Sequence, residues 1–217
     1  MTAAEMKASF LVQYDAATSF SSPGWEDSEL SSFLNLAQDR LVEELYISKN
    51  FANMSNIVRN LGNLTLTAHP TITNAVYNSL TGVTDYLYYV SSRTLVATRT
   101  NPVVSNEYLS NDVIDILMAQ KFFKTTLNKV LFKYPKVYFE NIFDSTAKGN
   151  SLVILYDNYT VTPTVAELVY VKYPVRIKIE ATTVPCELNL MLHAKIVEYA
   201  VQEALKATKL SKITTQS

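Results

Sequence analysis

The stretch PGWEDSELSSFLNLAQDRLVEELYISK, residues 23–49, carries the longest unbroken structural period in the chain. Leu30, Phe33, Leu34, Ala37, Leu41 and Leu45 recur at three- and four-residue steps, which on a helix places them in one stripe. Glu29, Asn35, Asp39, Glu43 and Glu44 fall mostly on other faces. The spacing predicts a long one-sided helix, with the Asp27 carboxylate as its N-cap and Ser22-Pro23-Gly24 as the turn that feeds it. Nothing in the stretch is chemically reactive, so it decides fold and leaves function open.

Working outward, Thr2 and Glu5 have the spacing of a capping box ahead of Met6, Phe10, Tyr14 and Ala17, which predicts a first helix over 3–17. Phe51, Met54, Ile57, Val58 and Leu61 continue a helical stripe up to Gly62, so residues 1–62 read as N-terminal helices. The period then changes. Leu64 and Leu66 alternate with Thr65 and Thr67, and VTDYLYYVSSRTLVATRT, residues 83–100, is dense in β-branched and aromatic residues. Residues 111–120 predict a short helix capped by Asn111 or Ser110, with Val113, Ile114 and Leu117 facing the core. Strands are expected at 136–142, 152–156 and 166–172, the first two forming a hairpin around a loose loop, DSTAKGN, at 144–150. Val175 to Ile179 alternates Val/Ile with Arg/Lys, as a strand with one wet face would.

Leu192, Ile196, Tyr199, Ala200, Ala204 and Ala207 restore a helical stripe, with Lys206, Lys209 and Lys212 where positive charge suits the helix dipole. The expected fold is therefore α+β: N-terminal and C-terminal helices forming a bundle with a β-rich central region of hairpin or meander type. The divisions are 1–62 helical, 63–182 β-rich with its short helix, 183–210 a C-terminal helix and 211–217 a disordered tail. They make one structural domain with a β-rich insertion.

At 217 residues and 48% hydrophobic the chain can bury a real core. No basic segment precedes an apolar run at the N-terminus and no apolar stretch is long enough to span a bilayer, so neither a signal peptide nor a membrane segment is expected. One Cys and two separated His residues make neither an intrachain disulfide nor an ordinary Cys/His zinc site. The four Gly are too scattered for a P-loop or dinucleotide fingerprint, and no G-x-S-x-G or H-E-x-x-H occurs. No cofactor, metal ligand or catalytic residue is assigned.

Charged residues are 18% of the chain, below the roughly 25% of an average soluble domain, the formal net charge is −1 and there are 14 Tyr. Such a surface resists association weakly and suits a protein buried among neighbours. The Lys121, Lys124, Lys129, Lys133 and Lys136 cluster alternates with apolar residues and reads as the wet face of a core-packing segment.

Pro23-Gly24-Trp25 with Leu34, Asn35, Ala37 and Gln38, then Asp85 and Tyr86, then Tyr170, Lys172 and Pro174, and finally Cys186, Glu187, Leu188, His193, Ile196 and Val197 follow one another in a recognisable order. Together they resemble the head-to-tail connector or adaptor proteins of crAss-like tailed bacteriophages. The chain departs from that pattern at Asn189, where Pro is usual. The resemblance implies a virion structural protein, made in the bacterial host cytoplasm, that forms a homo-oligomeric, dodecameric ring in the neck below the portal protein. Its partners would be the portal and other neck or tail ring proteins, with transient contact to double-stranded DNA in the channel. Within such a ring the 136–156 hairpin is the expected subunit contact, through Phe139, Ile142, Phe143, Asp144 and Lys148. Two other readings stay open: an enzyme of unfamiliar motif using Cys186, Glu187 and His193, and a monomeric binding module.

Overall fold

The computed structural model describes residues 1–19, 24–100, 103–124, 134–143, 148–157, 160–180 and 183–214. It divides into two compact units. One is built from both ends of the chain, Met1–Val58 with Tyr173–Ser217, and the other from the continuous middle, Arg59–Lys172. The helices lie toward the termini and the middle is β-rich, as the periodicity indicates.

In the terminal unit, α1 (Ala3–Thr18) starts at a capping box in which the Thr2 hydroxyl accepts from the Glu5 N–H and the Glu5 carboxylate accepts from the Thr2 N–H. Helix α2 (Asp27–Ile47) follows and α4 (His193–Thr214) completes the bundle. Met6, Phe10, Tyr14, Leu30, Leu34, Ala37 and Leu41 are fully buried, together with Ile196, Val197, Ala200 and Ala204. Tyr14 donates to or accepts from Thr208 at 2.9 Å, joining the first helix to the last. Trp25 stands edge-on to Tyr14 and Phe33, fixing the entry to α2 beside Gly24, whose φ of 68° favours glycine. On the wet side, Glu44 accepts from both Lys195 and Tyr199 at 2.6 Å, which holds its carboxyl below the ordinary range.

Asp27 is not the cap of α2. Glu26 occupies that position, its N–H donating to Glu29, while Asp27 forms an ion pair with Lys7 at 2.5 Å. The stripe over 51–61 is not a helix either. Phe51–Met54 makes one 3-10 turn, and β1 (Val58–Thr65) begins immediately after the buried Ile57. Val58, Leu61 and Leu64 are half-buried at a three-residue interval inside a strand, and Asn63 takes a φ of 58°. The irregular alternation is what imitated a helical period.

The alternating Val175–Ile179 segment also fails to join a sheet, making a single bridge between Lys178 and Val184. Its backbone is satisfied instead by a polar row on α2. Ser31 accepts from the Ile179 N–H at 3.1 Å, Asn35 accepts from and donates to Ile177 at 2.8 and 3.0 Å, and Gln38 donates to the Val175 carbonyl at 3.1 Å. Ser31, Asn35 and Gln38 sit one turn apart, so a helix face does what a neighbouring strand would do. Helix α4 begins ten residues later than the expected 183, after a 3-10 turn at Leu190–Leu192 capped by Asn189, and continues to Thr214, so 211–214 are helical rather than a loose tail. Asn supplies the cap where the resembling pattern has Pro.

The middle unit corrects the hairpin or meander. Among the described residues it holds two sheets with non-sequential strand orders. Sheet A runs β1, β10 (Val165–Lys172), β4 (Tyr86–Thr100), β5 (Val103–Ser110), with β9 (Thr160–Val161) also on β4. Sheet B runs β2 (Thr67–Ala68), β3 (Ala75–Ser79), β8 (Lys148–Leu155), β7 (Lys136–Phe143), β6 (Asp112–Val113), the last pair parallel. Periodicity marks a strand but not its partner, and these orders need crossovers that no local pattern announces.

The sheets pack face to face. Val76, Val137, Leu152 and Ile154 of sheet B, with Leu66 from the link between β1 and β2, meet Ala166, Leu168 and Tyr170 of sheet A. The alternate residues Ala75, Tyr77, Tyr138, Val153 and Leu155 point to the far side of sheet B, where Ala119 of α3 (Ile116–Lys124) covers them. Sheet B is thus apolar on both faces. Strands β7 and β8 pair without interruption as far as Phe143 opposite Lys148, so the hairpin is tighter than the loose 144–150 loop expected of it.

Candidate interaction surface

Cys186, Glu187 and His193, the residues an enzyme reading would use, are each engaged in holding the chain. The Cys186 thiol donates to Gln38 at 3.2 Å, and burial pushes its pKa up to about 11, which keeps it protonated and unreactive at neutral pH. Glu187 accepts from the Val175 N–H at 2.9 Å. The His193 ring is buried with Nδ1 3.1 Å from the Met1 carbonyl and Nε2 2.9 Å from the Leu188 carbonyl. A ring between two acceptors serves as a donor, and a general base needs a free lone pair facing its substrate.

A second histidine pairs with a carboxylate that lies 71 residues away in sequence, so no local pattern points to it. His69 Nε2 is 2.6 Å from Glu140 Oε1, and Nδ1 accepts from the Thr71 and Ile72 amides at 3.3 and 3.1 Å. With Nδ1 accepting, Nε2 carries the proton and donates it to Glu140. Beside this pair, burial and the Glu140 charge raise the pKa of the Tyr138 hydroxyl. The geometry staples the turn after β2 onto sheet B, and both ring nitrogens are used in doing so.

The hairpin residues divide. Phe139 packs inside the sandwich against Tyr86 and Tyr89, with ring centroids 6.3 and 5.2 Å away. The apolar excess of this hairpin is explained by the two covered faces of sheet B. Asp144 and the side chains of Ile142, Phe143 and Lys148 lie outside the described residues. Among the residues quoted for the phage resemblance, Tyr170 donates to Asp85 at 2.9 Å, burial and then that contact pushing the tyrosine up to about 12, and Cys186 donates to Gln38.

The surface that stands out chemically is α3. Its chain enters through β6, where the Asp112 and Ile114 amides donate to the Pro135 and Val137 carbonyls, both at 2.9 Å, and Asp112 pairs with Lys136. Lys136 is therefore an ion-pair partner, and the rest of the basic cluster lies outside the described residues or side chains. Asp115 caps the helix by accepting from the Met118 N–H at 2.6 Å. The helix starts here, five residues beyond the expected 111, because Asn111 is taken by Ser92 and Thr94 at 2.7 and 2.8 Å. Ala119 is fully buried, whereas Leu117 is 67% and Val113 59% exposed, and Ile116 and Met118 are exposed with them. Val113 and Leu117, expected to face the core, face outward; the small Ala119 is the residue that fits against Tyr138 and Val153.

No protein-family model matches the chain, and no curated protein matches it.

Val113 of β6 and Ile116, Leu117 and Met118 in the first turn of α3 expose large apolar side chains within six residues of one another, the kind of surface that marks contact with another protein. No helix among the described residues is long and apolar enough to cross a membrane, and no cluster of His, Cys, Asp and Glu among them could hold a metal ion.

Proposed function

We propose that this protein is a structural subunit of the head-to-tail connector of a tailed bacteriophage. It assembles with copies of itself into a dodecameric ring below the portal, gives the genome a passage and offers the tail a platform. The outward apolar surface around α3 carries this reading: Val113 of β6 and Ile116, Leu117 and Met118 of the helix are exposed, while Asp115 caps the helix and Ala119 packs it onto sheet B. A free monomer has little use for such a face, and a subunit surrounded by neighbours does. The near-neutral charge is a second support, because DNA must move through the channel and each Lys or Arg contact to phosphate would hold it back. The resemblance of the terminal motifs supplies the place in the virion.

Light scattering and negative-stain microscopy of the purified protein, alone and mixed with its portal ring, test the proposal. Closed rings with a central channel are expected in at least the mixed sample. A protein that stays monomeric in both overturns it.

A further inference from the structure

We infer that two copies of the chain join edge to edge through β5, antiparallel about a two-fold axis at Asn106, so that sheet A of one copy continues into sheet A of the other. This goes beyond the ring and does not rest on it, since a two-fold contact pairs two copies and closes on itself. Sheet B ends in β2 and β6, two residues each, too short to template another strand. At one end of sheet A stands β5, eight residues long, with no described strand on its outer side. Such an edge is a row of backbone donors and acceptors, which soluble proteins blunt with Lys, Pro, a bulge or brevity. Strand β5 reads VVSNEYLS and pairs with β4 from Val103 to Ser110 without a register shift, so it has none of these.

The ladder fixes which backbone groups face outward. The Asn111 N–H donates to the Ser92 carbonyl at 3.0 Å, one step beyond the Arg93–Ser110 pair. Bonded and unbonded pairs alternate along an antiparallel ladder, so Leu109, Glu107, Ser105 and Val103 direct their bonds to β4, while Ser110, Tyr108, Asn106 and Val104 turn theirs to the open side.

Charge selects the register, and the register selects the occupant. Each two-fold register is centred on one residue that faces its own copy. Centred on Glu107, two carboxylates meet in the closer, unbonded kind of pair. Centred on Asn106, every position from Val103 to Leu109 finds a partner: Val104 stands opposite Tyr108, Ser105 opposite Glu107 and amide opposite amide, with the outward N–H and C=O groups in bonding register. The strand is thus its own complement, apolar against aromatic and polar against polar. Tyr108 is held at the seam by Arg93, whose guanidinium carbon lies 5.7 Å from the ring centre.

Sedimentation velocity of the full chain over a range of concentrations tests the joint, and a dimer that grows with concentration is expected. Asn106→Pro removes an N–H that β4 does not use, so the melting midpoint should hold while the dimer dissociation constant rises by about tenfold or more. Asn106→Lys sets two like charges face to face at the axis and should weaken the dimer as much with the backbone intact. Asn106 on β5 and Ser91 on β4 are exposed, and native Cys186 is buried. A short bis-maleimide should therefore link Asn106→Cys into a covalent dimer and leave Ser91→Cys, which lies off the edge, unlinked. A chain that stays monomeric at every concentration, a dimer indifferent to both Asn106→Pro and Asn106→Lys, or linking of Ser91→Cys as efficient as that of Asn106→Cys overturns the joint.

Discussion

Replacing Asn35 by Leu tests whether a helix side chain stands in for a missing strand. The Asn35 amide accepts from the Ile177 N–H at 2.8 Å and donates to the Ile177 carbonyl at 3.0 Å, and Ile177 is fully buried. Leucine keeps the bulk and removes both partners, leaving one buried donor and one buried acceptor unsatisfied. At about 1–3 kcal/mol for each such group, and with some relief from local adjustment, the expected loss is about 3 kcal/mol. For a chain of this length that corresponds to a fall of about 6–12 °C in the melting midpoint. Urea and thermal unfolding followed by helical circular dichroism would measure it, with Leu36→Ala, at an exposed neighbour on the same helix, as the control expected within about 0.5 kcal/mol of the parent. If Asn35→Leu also unfolds within about 0.5 kcal/mol of the parent, the pair contributes nothing and the 175–179 segment is held by other means.

Leu41→Asp, at a fully buried position of α2, should cost at least about 3 kcal/mol, read from the same melts; unchanged stability would mean the helix face is misassigned. Leu117→Glu on α3 should leave the melting midpoint unchanged and reduce association in light scattering, whereas Ala119→Leu, in the packed contact with Tyr138 and Val153, should destabilise the middle unit by about 1–3 kcal/mol. The Cys186 thiol is raised to about 11 from an ordinary 9.0, so its protonated form stabilises the fold fully below pH 9.0, and that contribution is lost as pH rises through about 11. Cys186→Ala should flatten the alkaline decline in stability over that window, and the native thiol should react with maleimide at neutral pH only as fast as the protein opens.

The bundle was legible because its signals are local. Thr2 with Glu5, and the Leu30 to Leu45 stripe, lie within a few turns of one another and need no distant partner to be read. The middle was legible as strand but not as sheet, since Lys136 finds Leu155 on one side and Asp112 on the other only through tertiary pairing. The failures have particular causes. Val175 to Ile179 has the alternation of a strand, but its partners are Ser31, Asn35 and Gln38, polar residues that on α2 read simply as a wet face. Leu117 reads as inward-facing from the sequence because large apolar residues usually are. The packed layer admits only Ala119 there, and a sequence says little about the room left under a helix. The His69–Glu140 pair left no trace for a related reason: two unremarkable residues become a unit only when strand β7 brings Glu140 beside the turn that follows β2.

The division of the chain also sets the order in which it can fold during synthesis. The middle unit is continuous, so all of it has been made before His193 appears, and its sheets can pair as soon as Lys172 is clear of the ribosome. The bundle cannot follow suit. Helices α1 and α2 emerge first, yet the apolar stripe of Leu30, Leu34 and Leu41 has no α4 to meet until about 145 more residues are translated, on the order of 10 s at typical elongation rates. For that interval the nascent chain displays two amphipathic helices with their seams open, tethered to a finished β unit. Chaperone capture should therefore concentrate on the first fifty residues, and stalling the ribosome before residue 193 should prolong it.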